Sequence, residues 1–391
     1  MASSSLRISC LCGSVSQLVS ARPIALDAAA PTALSLCHCD ACRHSTGLLC
    51  ASYRPIAAPA LPRNTKEYKT ADGWTRHFCS ACGCHVFRCK SAEWELATGV
   101  VIESLLPEDS PEVTRYAYHA HVSDTKDGGS AVWIPEFQGQ KMEFLNSNSN
   151  TDEHDDDDDA HDDIHSKFTA PPQDPLPATC ACGRVRFHIT RPDPASYLPR
   201  SAYSDLIYTY CSTDKAITQN PGDEKWWIRA GGTKYLAGTC ACRSCRLASG
   251  FEIQTWTFVP RANIFFHVPQ PDAREMAVPL DFATLPAGIL TSYRSSPDVL
   301  REFCGTCGAT VFWHDKWRPD LIDVSAGLLK AKEGARADSW VDWWTERVSF
   351  VEETETGRLG KEARRARALM ESLENGLRQW GKMPSILTTS R

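Results

Sequence analysis

The 391-residue sequence predicts a mainly β fold: two tandem copies of a small antiparallel β domain, followed by a C-terminal helix. Three observations carry that prediction. One set of cysteine motifs occurs twice, in the same order. Short segments rich in β-branched and aromatic residues, bounded by Gly and Pro, surround those motifs. A single segment near residue 370 has helical spacing of its apolar residues.

The repeat is the strongest signal. The first copy runs Cys10-Leu-Cys12-Gly13, then Cys37-His-Cys39-Asp-Ala-Cys42-Arg43, then Phe78-Cys79-Ser-Ala-Cys82-Gly83. The second runs Cys180-Ala-Cys182-Gly183, then Cys240-Ala-Cys242-Arg-Ser-Cys245-Arg246, then Phe303-Cys304-Gly-Thr-Cys307-Gly308. Downstream, Gly99 in Leu96-Ala-Thr-Gly-Val matches Gly327 in Val324-Ser-Ala-Gly-Leu. We place the first domain at 6–145, an acidic, Pro-rich linker at 146–175, and the second domain at 176–350.

Between its first two motifs the second copy carries an insertion near 190–235, with Tyr197, Tyr203, Tyr208, Tyr210, Trp226 and Trp227. The linker, with its Asp run and His154, His161 and His165, has nothing apolar to bury and reads as a disordered spacer. The helix is expected at 355–382, where Ala366, Leu369, Leu373 and Leu377 share a face beside Arg364, Arg365 and Arg367. We expect it to pack on its own domain. The strands Gly13–Val19, His85–Cys89, Arg184–Ile189, Phe251–Val259 and Thr310–Trp313 make each copy a small antiparallel sheet.

Hydrophobic content of 42% and charged content of 23% are those of an ordinary globular protein. A net charge of −6 argues against general nucleic-acid binding, which needs clustered Lys and Arg. The sequence contains no apolar run of the roughly 18–20 residues that a membrane span requires. Met1 leads to Cys10 without a hydrophobic signal segment, so the expected compartment is cytoplasmic, with the nucleus as the alternative. There the 18 cysteines stay reduced, and their close spacing points to metal rather than disulfides.

Zinc takes four ligands in a tetrahedron, and a C-x-C or C-x-x-C pair supplies two from one turn. Cys10 and Cys12 with Cys79 and Cys82 therefore make one closed site, and Cys180 and Cys182 with Cys304 and Cys307 a second. Both are read as structural. The middle motif supplies three sulfurs and no fourth: Cys37, Cys39 and Cys42, then Cys240, Cys242 and Cys245. Three protein ligands and one open position is the arrangement of a catalytic zinc, so these six are the candidate catalytic residues. An incoming thiol bound there is deprotonated, and a nearby carbonyl is polarised.

Two plainer readings stay open. A fourth ligand can arrive from His38, His44, Cys50 or Cys84, or the triads can be partly metallated redox clusters. Cys50, Cys84, Cys89 and Cys211 are most simply small buried hydrophobes. Arg43 and Arg246 can hold a substrate carboxylate, although surface arginines are the commoner case. Trp340, Trp343 and Trp344 suit a partner interface or, more simply, a core.

The three-motif order, with Gly47 and Gly250 a few residues after each triad, resembles the glutathione-dependent formaldehyde-activating enzyme and centromere protein V family. The resemblance covers residues 6–145 and 176–350. It implies two zinc-bound β-tent domains, a fold shared with chaperone-like proteins that release nucleotide from Rab GTPases. It also implies up to two zinc ions per domain: a structural one on the outer cysteine pairs and a catalytic one on the middle three. The implied reaction is that of a carbon–sulfur lyase, S-hydroxymethylglutathione ⇌ glutathione + formaldehyde. Glutathione or another small thiol adduct is then the partner. The rival expectation is a non-enzymatic zinc scaffold that binds a protein. The copies depart from each other at Ala241, where the first copy has His38, and at Cys84, which is extra in the first.

Overall fold

The computed structural model describes residues 5–22, 33–105, 115–145, 174–269 and 275–383. The expected linker falls almost wholly outside them, as do His154, His161 and His165.

In the first copy Ser5–Ser9 pairs antiparallel with Ser16–Ser20 and, on its other side, with Val101–Ser104. A second sheet is an antiparallel meander in the order Tyr53–Ile56, Glu93–Ala97, His85–Lys90, Thr75–Cys79, Thr65–Lys69. The second copy has a counterpart of each, extended differently. Leu176–Thr179, Arg186–Ile189, Ile264–Pro269 and Glu275–Pro279 form one sheet, and eight strands including Lys234–Cys240, Gln254–Pro260, Leu321–Ser325 and Thr310–Asp315 form the larger one.

Pairing is not antiparallel throughout. The strand that delivers each triad has a parallel neighbour, Arg115–Ala120 beside Ala33–Cys37 and Val341–Trp343 beside Lys234–Cys240. Parallel pairing needs a long crossover, and here most of a domain lies between the partners. Local patterning carries no signal for such a pair.

The two copies are joined face to face around an approximate two-fold axis. The C-x-C loop of each docks on the triad helix of the other: Leu11 N–H donates to Leu247 O (3.0 Å) and Ala181 N–H to His44 O (2.9 Å). A second reciprocal pair, Gly99 N–H to Gly250 O (2.9 Å) and Gly327 N–H to Gly47 O (3.2 Å), stitches the same face. Gly47 and Gly250 end the triad helices Asp40–Thr46 and Arg243–Ser249 in the left-handed region, at φ 80° and 85°. One hydrophobic core runs through both copies, from Leu34 and Tyr116 to Phe187, Phe312 and Val324.

The C-terminal helix, Gly360–Gly381, forms where the apolar spacing places it but packs elsewhere than expected. It lies mainly on the first copy, against Val101–Ser104 and the turn Gly129–Trp133. Leu359 N–H donates to Ile102 O (2.9 Å), and Trp133 is met edge-on by Trp380 at 5.8 Å and by Trp343 at 4.8 Å. The buried Glu362 pairs with Arg54 of the first copy at 3.3 Å and with Arg365 on its own helix. A buried carboxylate is tolerated only with such partners, and they fix the helix on that domain. The stripe Leu369–Leu373–Leu377 is apolar, and a stripe alone does not say which surface it covers.

Trp340 and Trp343 are buried in the common core, while Trp344 is half-buried. The insertion forms a small core of its own, with Leu206, Trp226 and Trp227 against Leu236 and Phe258. No described helix is long and apolar enough to cross a membrane.

Candidate metal centres and the second-copy cavity

Four groups of sulfurs come together, and their membership is the one expected. Cys10, Cys12, Cys79 and Cys82 form one group of four, and Cys180, Cys182, Cys304 and Cys307 the other. All ligand atoms in each group lie within 4.8 Å of one another. Cys10 and Cys12 are 3.5 Å apart, as are Cys12 and Cys79; Cys180 to Cys182 is 3.4 Å. A tetrahedron with metal–sulfur bonds of about 2.3 Å has edges of about 3.8 Å, so these groups fit zinc. Backbone amides point at the sulfur, Val15 N–H to Cys10 (3.4 Å) and Val185 N–H to Cys180 (3.3 Å), as thiolates require.

The triads are built by a strand that runs straight into a short helix. Ala33–Cys37 delivers the first sulfur. Cys39 then caps the helix Asp40–Thr46 by accepting the Cys42 N–H at 3.3 Å, which turns Cys42 back toward it. Cys37 is 3.5 Å from both Cys39 and Cys42. In the second copy Lys234–Cys240 and the helix Arg243–Ser249 do the same, with Cys242 accepting the Cys245 N–H at 3.3 Å. Each triad gathers three ligand atoms within 4.8 Å.

The candidate fourth ligands go elsewhere. The His38 ring bonds His119 at 3.0 Å, and Cys84 faces the carbonyl of His85. Neither they nor His44 and Cys50 join a ligand group among the described residues. Of the leftover cysteines, Cys50 and Cys84 are buried, but Cys89 is half-buried and Cys211 exposed, since the insertion that carries Cys211 turns it outward.

Arg43 and Arg246 are not on the surface, and neither lines the cavity at the second triad. Both are buried: Arg43 pairs with Asp40, and Arg246 donates to Gly99 O of the other copy (2.6 Å) and to Thr356 O ahead of the C-terminal helix (3.1 Å). Different arginines reach the sulfur. Arg76 Nη2 is 3.3 Å from Cys42 Sγ and its Nη1 donates to the Tyr53 hydroxyl at 2.9 Å. Arg301 holds Cys245 Sγ from both Nη atoms at 3.6 Å and donates to Ser244 Oγ at 3.1 Å. Hydrogen bonds from Cys37 and Cys39, then the charges of Arg76 and Arg88, hold the Cys42 thiol well below the usual thiol range. Bonds from Cys240 and Cys242, then Arg301, do the same for Cys245. Both arginines stand three residues before the first cysteine of the third motif, a repeated signal that sequence reasoning passed over.

The copies differ in what covers the triad. In the first, the Arg88 guanidinium lies over Tyr53 (4.0 Å) and Trp74 (4.2 Å). In the second, the triad opens on a cavity of about 610 Å³ roofed by the insertion. Asp323 stands in its wall, paired with Arg318 at 2.7 Å. Burial pushes the Asp323 carboxyl up to about 6, against the pull of Arg318. Carbon-detected NMR should place its midpoint near 6, well above an ordinary aspartate, and the signal should vanish in Asp323→Asn. In the fold this carboxyl holds a proton at a pH where the unfolded chain has released it. Its contribution to stability therefore rises as pH falls from above 6 toward 4. A midpoint near 4 would show that the carboxylate is solvated.

The family model of the glutathione-dependent formaldehyde-activating enzyme matches residues 5–117 and 227–347. The second region starts beyond Cys180 and Cys182, which the fold nevertheless brings to Cys304 and Cys307. No curated protein matches the chain. With more than half its length matched, in two regions that each hold a three-cysteine triad, the chain belongs to the glutathione-dependent formaldehyde-activating enzyme family.

Proposed function

We propose that the chain is a zinc-dependent carbon–sulfur lyase for thiol–aldehyde adducts of the S-hydroxymethylglutathione kind, with its reaction centre at the second triad. The observation that carries this reading is a three-sulfur group with no fourth protein ligand among the described residues, opening on a cavity deep enough for a small molecule. Zinc on Cys240, Cys242 and Cys245 would supply a Lewis acid for the incoming sulfur.

The remaining chemistry falls to the chain. In an adduct R–S–CH2–OH the hydroxyl proton leaves, the C–O bond becomes C=O, and the carbon–sulfur pair returns to sulfur. Asp323, with a carboxyl that titrates close to neutrality, is the group facing the cavity suited to take that proton and return it to the thiolate. Arg301, held against Cys245, offsets the negative charge that collects on sulfur. The four-cysteine groups act as structural zinc sites, and the first triad is a second, more covered copy of the centre.

Exchange NMR on formaldehyde with a thiol panel (glutathione, cysteine, cysteamine and benzyl mercaptan) tests the reading. Wild type should speed adduct exchange over the protein-free control by at least about 100-fold for one thiol or more, the scale of a single acid–base contribution. Changing Cys240, Cys242 and Cys245 to Ser should abolish the gain. If no thiol exchanges faster than without protein, the lyase reading fails and the binding scaffold takes its place.

A further inference from the structure

We infer that the second-copy cavity takes a thiol adduct with an apolar body and no net negative charge, which sets its substrate apart from glutathione. The inference rests on the second triad being the thiol-accepting centre.

The cavity is walled by aromatic faces: Tyr203, Trp226, Trp256, Phe258, Trp313 and Phe350. Its charged lining is two guanidiniums, Arg301 and Arg318, against four carboxylates, Asp205, Asp315, Asp323 and Glu353. Both guanidiniums are matched already. Arg301 is spent on Cys245 and Ser244, and Arg318 on Asp323 at 2.7 Å and Asp315 at 3.6 Å. The donors they leave over, Arg301 Nε and Arg318 Nη1, sit on charges that are thus compensated. Asp205 faces Arg347 at 3.0 Å, and Glu353 accepts only the backbone N–H of Arg243, at 3.2 Å, among the bonds described. Three thiolates on a divalent ion add one more negative charge. The field that an incoming ligand meets is negative.

Glutathione brings two carboxylates and one ammonium. Each surplus carboxylate in the wall costs an anionic ligand roughly tenfold in affinity at effective dielectrics near 20. Aromatic faces beside carboxylates instead suit a neutral aromatic body or a cation. The first copy makes the contrast. Across the strand pair, Arg76 faces Arg88, whereas Arg301 faces Trp313. At the mouth of the second centre an indole stands where the first has a guanidinium.

The test is titration of the cobalt-loaded full chain with benzyl mercaptan, thiocholine, glutathione and 3-mercaptopropionate. Thiolate-to-cobalt absorption reads entry at the metal, and quenching of tryptophan fluorescence reads occupancy of the cavity. Loss of the absorption response in Cys242→Ser assigns it to the second triad. The neutral and cationic thiols should bind at least about tenfold tighter than the two anionic ones, with Trp313→Arg narrowing the gap by about tenfold. Equal or tighter binding of glutathione or mercaptopropionate overturns the inference. If no thiol alters the cobalt band, the open-centre reading fails instead, and the order of quenching still decides what the cavity prefers.

Discussion

Changing Cys304 to Ser should cost the second copy its fold. Structural zinc in small domains contributes apparent binding free energies of about 10–16 kcal/mol, whereas a whole domain is stable by only about 5–15 kcal/mol. Removing one of four ligands from a closed site therefore removes more than the domain has in reserve. Cys304 lies in the core, its sulfur within 4.8 Å of those of Cys180, Cys182 and Cys307. The purified variant should carry one zinc fewer per chain than wild type, and calorimetry should show the thermal transition lost or lowered by more than about 15 °C. A larger share of the effect should appear in wild type treated with a strong chelator. Unchanged metal content and an unchanged thermal transition would mean that this group holds no structural ion.

Replacing Gly250 by Ala should cost about 2–5 kcal/mol, because two penalties coincide at one atom. The residue sits at φ 85°, where an L side chain costs roughly 1–2 kcal/mol. A Cβ there would also lie 2.2 Å from the His85 carbonyl oxygen of the other copy, and forced overpacking costs about 1–3 kcal/mol more. The neighbour is backbone and cannot swing aside. Gly231→Ala is the control, since it has φ 64° with nothing within 4 Å. The midpoint of denaturant unfolding should fall at least twice as far for Gly250→Ala as for Gly231→Ala. Equal shifts would show that the faces of the two copies slide apart freely.

Membership of the metal groups was legible in the sequence because ligand chemistry is local. A C-x-C or C-x-x-C spacing is fixed by one turn, and the motif glycines, such as Gly13 at φ 76° and Gly183 at φ 72°, serve that turn. The strands near the motifs were legible too, as His85–Lys90 and Thr310–Asp315 cluster β-branched and aromatic residues. What escaped is what depends on distant pairing. Nothing in Leu369, Leu373 and Leu377 names the first copy as their partner; that choice is made by Glu362 meeting Arg54. Arg43 and Arg246 follow the triads in sequence, yet Arg43 turns to Asp40 on its own helix and Arg246 to Gly99 of the other copy, while Arg76 and Arg301 arrive from other strands. Asp323 has no motif at all, and its shifted carboxyl arises from burial that only the folded cavity supplies.

The reciprocal bonds between the copies, Leu11 to Leu247 and Ala181 to His44, have the form of a symmetric homodimer contact made within one chain. Covalent continuity removes mass action from that contact, so dilution cannot separate the halves. It also releases the halves from identity. In a true dimer every substitution appears twice, and an indole that reshaped one mouth would reshape both. Here Trp313 and Arg88 occupy corresponding places on opposite sides of the axis. One half can thus specialise its chemistry while the other keeps the scaffold intact, a division of labour that identical subunits cannot adopt.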